Sequence, residues 1–401
     1  MAMSRREFLM TASASFGALA VPTALLRARP ARASGIDPVL VALYLRGGAD
    51  ALNLVPPYGD SLYYAARPTI RVAPGTELPL DGFFGFHPAL APLLPYYQSG
   101  QLAVLHACGS ASATRSHFDA QDFMEFAAPD DKTVQVGWLN RFLSASGATS
   151  PISAITIENA AAKALAGPAS NLAIPELSRF SLSGSYTAER RGAIQAISNA
   201  TSNALLGSAG INALSVLDLV DTVNTATSVV YPTSKLGSAL KDLAALIKAD
   251  IGVRVAAVNH ASWDHHANEA IAFPVMAGDL AGSLAAFATD LGTDIDRTVV
   301  LVMSEFGRRL AQNGAFGCDH GHGSVMMALG GAVQGGQVLL RDGTWPGLAP
   351  PQLFNGIDLA GTTDFRDVFA ELLERHMGLN DPSPVFPNYT IDTARYPGLF
   401  A

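Results

Sequence analysis

The stretch "VLVALYLRGG", Val39 to Gly48, is seven apolar residues in a row followed by an arginine and two glycines. A continuous apolar run of that length, closed by turn residues, reads as a strand buried on both faces. Such strands belong to parallel sheets, whose crossover helices cover both surfaces. The pattern recurs: "GQLAVLHACG" (100–109), "ISAITIE" (152–158), "VRVAAVNHAS" (253–262), "RTVVLVMSEFG" (297–307) and "GSVMMALGG" (323–331). Helical stretches lie between: "SHFDAQDFMEFA" with Ser116 as N-cap, "NEAIAFPVMAGDLAGSLAAFATDLG", and "DFRDVFAELLERHMG" with Gly378 as its stop. This alternation predicts an α/β fold, a mostly parallel central sheet flanked by helices on both faces. From about 188 to 248 the strand signal vanishes and Ala-, Ser- and Leu-rich helices follow one another, which reads as a helical insertion over the sheet.

The N-terminus sets the destination. "SRREFLM" pairs Arg5 with Arg6, the apolar run "FLMTASASFGALAVPTALL" follows, and "ARA" ends at Ala33. A basic start, a short apolar middle and a small-x-small end make residues 1–33 a twin-arginine export signal, so the expected location is periplasmic or secreted. The remaining 34–401 read as one catalytic domain. Removing the signal's five arginines and one glutamate from 26 basic and 34 acidic residues leaves a net charge of −12. That balance argues against nucleic acid as a partner, which needs basic patches. The longest later apolar window, Ala270 to Leu291, is broken by Asp279 and Asp290, so no integral membrane segment is expected in the mature chain. The two cysteines, Cys108 and Cys318, are too few for a disulfide scaffold, and the sequence leaves open whether they pair.

Ligands of open parallel sheets sit outside the carboxyl ends of the strands. Polar clusters occupy those positions. Asp50 follows the first strand, Thr114, Ser116 and His117 the second, Asp264, His265 and His266 a later one, and Glu305 and Arg308 the next. "GCDHGHG", Gly317 to Gly323, then adds Asp319, His320 and His322 just before a strand. Carboxylates and imidazoles without paired cysteines suit a divalent ion, zinc first, with manganese, magnesium or calcium as alternatives. The set suffices for one or two ions, the second arrangement serving ester displacement at phosphorus or sulfur. Ser116, at a helix start, is the natural hydroxyl nucleophile, with His117 and Arg308 beside it as catalytic candidates. Trp138 and Trp263 are candidate ligand-stacking residues with core packing as the competing role.

Together, the export signal and "LRGGADALN", "TRSHFDAQ", "SWDHHANE", "SEFGRR" and "DHGHG" resemble the exported family called domain of unknown function 1501, a branch of the alkaline phosphatase and sulfatase superfamily. The resemblance spans essentially the whole mature chain and implies an alkaline-phosphatase-like α/β fold. It also implies that Asp50, Ser116 and Glu305 hold one metal, and Asp264, His266 and His322 another. Where that superfamily has Asp-His, this chain has Glu305-Phe306, so one imidazole is missing and His320 is the neighbouring replacement. Asp319 is the expected orienting partner of a ring N–H. The sulfatase signature Cys-x-Pro-x-Arg is absent. The expected function is a metal-dependent hydrolase of anionic phosphate or sulfate esters, attacking through Ser116, or Thr114 in its place. The alternatives are a metal-hydroxide diesterase or phosphonate hydrolase, and an exported binding or assembly protein that keeps the fold without turnover.

Overall fold

Each of the six strand-like runs quoted above becomes a strand with no exposed residue. The computed structural model describes residues 37–148, 150–182 and 186–401, and the expected export signal at 1–33 lies outside the described residues. Among the described residues, one sheet contains β1 (Val39–Leu45), β2 (Leu102–Gly109), β3 (Ala154–Thr156), β4 (Leu172–Ala173), β5 (Val255–His260), β6 (Thr298–Met303), β7 (Ser324–Leu329), β8 (Val338–Leu339) and β9 (Thr363–Asp364). Their order is β8-β2-β7-β6-β1-β5-β3-β4, with β9 beside β2. Central β1 runs parallel to β5 on one side and β6 on the other. β7 alone runs antiparallel to its two neighbours, β2 and β6.

That reversal matters for function. The carboxyl ends of parallel strands share one edge of the sheet, and the segment entering an antiparallel strand meets the same edge. Residues 317–323, although they precede β7, therefore join the loops that follow β1, β2, β5 and β6.

The described helices include α1 (His117–Glu125), α2 (Trp138–Ser146), α3 (Thr187–Ala200), α4 (Ala204–Val220), α5 (Lys235–Lys248), α6 (Glu269–Leu291) and α7 (Phe365–Glu371). Alternate residues of β1 serve opposite faces, as strand pleating requires. Val39, Val41, Leu43 and Leu45 pack in one core with Leu240, Leu243, Leu284 and Phe287 of α5 and α6. Leu40, Ala42 and Tyr44 pack in another with Trp138, Phe142, Phe365 and Phe369 of α2 and α7. Helices thus cover both faces, as the continuous apolar strands demand. The span 188–248 holds α3, α4 and α5, with a non-helical stretch at 221–234 between the last two.

Two features of the sequence find their physical reason in the core. By length and hydropathy α6 passes the test for a membrane-crossing helix, despite Asp279 and Asp290. Its apolarity has a packing cause, since Phe273, Ala277, Leu280, Leu284 and Phe287 are buried in the core. Trp138 and Trp263 are both fully buried, Trp138 stacked on Phe369 at 4.3 Å and Trp263 edge-on to Phe273, so neither is free to stack on a ligand. Cys108 and Cys318 are separate buried thiols.

Candidate metal centre

α1 begins where "TRSHF" leaves β2. Ser116 is the N-cap, its Oγ accepting the Asp119 N–H at 3.4 Å, and Thr114 Oγ1 accepts the Ser116 N–H at 3.2 Å. The cap turns His117 into the first residue of the helix. Its Nδ1 lies 2.8 Å from Glu305 Oε1, the same oxygen that accepts the Gly47 N–H at 2.9 Å and Gln121 Nε2 at 2.8 Å. Burial raises the Glu305 carboxyl pKa, but these hydrogen bonds, His117 first, hold it below its usual range. An ionised Glu305 therefore takes the His117 Nδ1–H, and the hydrogen bond to Glu305 raises the histidine's pKa.

Two further imidazoles are fixed in the same way. His320 Nδ1 donates to the Arg115 carbonyl at 2.8 Å, and His266 Nδ1 faces Asp319 Oδ1 at 3.5 Å. In each neutral ring the proton is then on Nδ1 and the lone pair on Nε2. All three Nε2 atoms surround one oxygen, Asp264 Oδ1, at 3.4 Å from His117, 3.0 Å from His266 and 3.2 Å from His320. The Nε2 atoms of His266 and His320 are 2.8 Å apart. His117 Nε2 is buried without a hydrogen-bond partner.

Asp264 Oδ1 already accepts from Arg308 Nη2, but the three imidazole lone pairs that face it repel it and one another unless a cation lies among them. A proton serves one such pair, whereas a divalent ion serves all four atoms. Zinc sits about 2.0–2.1 Å from nitrogen, so a tetrahedral shell has edges of about 3.3 Å, and the four separations of 2.8–3.4 Å given above bracket that value. Ligating histidines ordinarily give their other N–H to a carboxylate or carbonyl, as Glu305, Asp319 and the Arg115 carbonyl do here. The residues fit a metal. His117, Asp264 and His320 form one such group by ligand-atom proximity, and His266 adjoins it.

The site also redistributes the other expected residues. Glu305 lies behind His117 instead of facing an ion. Asp50 is elsewhere: its carboxylate is held by both terminal nitrogens of buried Arg67, and it clusters with Glu269 and Cys318. Burial and the neighbouring Asp50 push the Glu269 carboxyl far upward, while Asp50, against its own burial, is held low by Arg67. Arg67 and a proton on Glu269 thus balance this group, and Asp50 is not a partner of Glu305. His322 is also engaged elsewhere. Its Nε2 lies 3.1 Å from the Ser110 carbonyl, its Nδ1 accepts the Gly361 N–H at 3.2 Å, and its ring stacks on Phe354 at 3.8 Å. With both nitrogens used, it is a packing histidine.

Arg308 is 1% exposed and spends its donors on the protein. It bonds the carbonyls of Gly47, Gly48, Cys318 and Trp263, and Asp264 Oδ1 at 2.5 Å. It therefore pins three loops together and fixes Asp264 from behind, leaving no face for substrate. Burial raises the Asp264 carboxyl pKa, but Arg308 and the adjacent imidazoles bring it down to about 2.

The glycines of "GCDHGHG" permit close approach. A Cβ on Gly321 would lie 2.4 Å from the Arg308 carbonyl carbon, and one on Gly317 2.4 Å from that of His266. None of Gly317, Gly321 and Gly323 has positive φ, so left-handed backbone is not the reason. Backbone bonds from Gly321 N to Gly307 O, 2.9 Å, and from Arg309 N to Asp319 O, 3.0 Å, lace the two loops side by side.

Sequence reading missed Gln121 and Arg46. Gln121 bridges Glu305 and Arg46, whose Nη1 lies 3.3 Å from Gln121 Oε1 and 2.8 Å from Glu125 Oε2. The signal was present, since His117 and Gln121 are four apart on one helical face.

A family model described as a protein of unknown function, DUF1501, matches residues 103–388. No curated protein and no solved structure matches the chain.

Proposed function

The chain belongs to the DUF1501 family, and from the chemistry of its site we propose an exported, metal-dependent hydrolase of phosphate or sulfate esters. Convergence of three imidazole Nε2 atoms on Asp264 Oδ1, each ring with its Nδ1 turned to another acceptor, carries this reading. His117, Asp264 and His320 would hold a zinc-type ion with His266 adjoining, and the coordination position left open would supply Lewis-acid polarisation of the ester's anionic oxygens. Ser116 is the proposed nucleophile, because its hydroxyl starts the helix that carries His117, and the helix N-terminus favours developing negative charge. Glu305 keeps the His117 ring in the tautomer that presents Nε2. The alkaline phosphatase superfamily is the proposed fold relative, supported by the mostly parallel sheet with the site outside its carboxyl edge. The arginine pair at Arg5 and Arg6 supports export through the twin-arginine route to the periplasm.

The test is metal analysis of natively exported protein together with hydrolysis of p-nitrophenyl phosphate and p-nitrophenyl sulfate. One bound metal per chain and metal-dependent turnover that Ser116→Ala abolishes without metal loss are the expected results. Protein that carries no metal and cleaves neither ester overturns the reading.

A further inference from the structure

The three imidazoles of the metal centre are not held equally. The side chains of His117 and His320 are 21% and 22% exposed, so packing limits how far they turn. His266 is 44% exposed, and Asp319, the carboxylate 3.5 Å behind its Nδ1, is 45% exposed. A ring whose orienting partner also stands half in solvent turns away unless something further back fixes the pair.

Asn313 lies in the turn just before "GCDHGHG". Its side-chain amide offers two N–H donors and two oxygen lone pairs, and all four are used. Oδ1 accepts the N–H of Ala315 at 2.9 Å and that of Gly317 at 3.1 Å. The oxygen thus closes the residue's own turn, a common use of asparagine. That turn contains Phe316, whose φ of 61° costs a non-glycine residue energy, and such residues concentrate at functional sites. The two N–H groups reach outside the turn. Nδ2 donates to the His266 carbonyl at 2.9 Å and to Asp319 Oδ1 at 3.1 Å. One amide therefore grips both the backbone that carries His266 and the carboxylate behind its ring. Backbone bonds from Asn268 N to Ala315 O and from Cys318 N to His265 O, both 3.1 Å, keep the two segments side by side.

We infer that Asn313 is the positioning residue of His266, the side chain that keeps its Nε2 beside Asp264 and His320. The inference rests on the metal reading of the site for its effect on zinc, but not for its effect on the ring. The competing role, closing the turn and nothing more, needs only the oxygen. Asn313→Asp separates the two, because aspartate keeps an acceptor for Ala315 and Gly317 and loses both donors. Asn313→Ala also loses the donors but adds no charge beside Asp319, so a change common to both variants is not electrostatic repulsion.

The experiment uses the full-length exported protein with nitrogen-15 in its histidines, stripped of metal, at about pH 8, where unperturbed imidazoles are neutral. Proton–nitrogen correlation spectra then show which ring nitrogen carries the proton. In wild type, His117, His266 and His320 are expected to carry it on Nδ1. In both variants His266 alone should shift its proton towards Nε2, since the hydrogen bond that selects the tautomer is weakened. Calorimetric zinc affinity should fall about tenfold. A His266 ring that keeps its Nδ1 proton in either variant overturns the assignment. So does a shift of all three rings together, which would mean that the loop has come apart, and so does zinc binding as tight as wild type. Wild-type protein that binds no zinc would sink the metal reading alone, and the position of the His266 proton would still decide the role of Asn313.

Discussion

His117 Nδ1 and Glu305 Oε1 lie 2.8 Å apart, and this contact makes Glu305 the residue that aims His117 at Asp264. Glu305→Gln keeps the size of the side chain and removes the charge. Its amide can meet the His117 Nδ1–H with oxygen only if it turns its NH2 away from the Gly47 N–H. Metal affinity should fall about 10–100-fold, the usual effect of removing a carboxylate behind a ligating histidine. Calorimetric zinc titration measures it; unchanged affinity would mean that Glu305 does not orient the ring.

His320 and His322 stand two residues apart and should behave as opposites. His320→Ala removes one of the converging Nε2 atoms, so stoichiometric metal should be lost while the thermal midpoint of the metal-free protein changes little. His322→Ala deletes the stack on Phe354 and leaves the Ser110 carbonyl and the Gly361 N–H without their partner. Bound metal should persist, and stability should drop by about 2–3 kcal/mol. Metal analysis and urea unfolding of both variants decide it. Loss of metal from His322→Ala would return that residue to the ligand set.

Gly321→Ala tests whether close approach is the reason for the glycine. The new methyl would meet the Arg308 backbone, which cannot swing aside as a side-chain tip can. The loops after β6 and before β7 would be pushed apart, at a cost of about 3 kcal/mol. His320, one residue away, should move with its loop, so metal affinity should weaken in parallel. Urea midpoints and zinc titration on one preparation give both readouts, and a variant as stable as wild type would show that the loops have room.

The sheet and the edge where the polar clusters gather were legible because burial on both faces leaves an unbroken apolar run, a local property. The direction of β7 was not, since a strand reads alike from either end. His322 and His320 share the same spacing and glycine context. What separates them is that the Ser110 carbonyl and Phe354, from distant segments, claim one ring and not the other. Asp50 was misplaced for a similar reason. Its partner Arg67 comes from an unpatterned stretch, and only the folded chain brings a buried guanidinium to that carboxylate.

His106 gives a pH-dependent prediction away from the metal centre. The ring is wholly buried in β2, with Nε2 2.9 Å from the Val55 carbonyl and Nδ1 accepting the Ala107 N–H at 2.8 Å. Both nitrogens are satisfied only in the neutral tautomer, and burial, the largest influence, lowers the pKa to about 4. The unfolded chain takes up the proton first, near ~6.5. His106 therefore contributes its full share of stability above that value. The share is lost as pH falls from about 6.5 to about 4, and below that it stays lost. The loss amounts to about 3 kcal/mol. His106→Gln retains a donor and an acceptor without a titrating group, so it should be less stable than wild type at pH 7, and the gap should shrink by about that amount at pH 4. Urea unfolding of both proteins across this range is the measurement. Parallel losses in the two would show that the buried ring is not the acid-sensitive group.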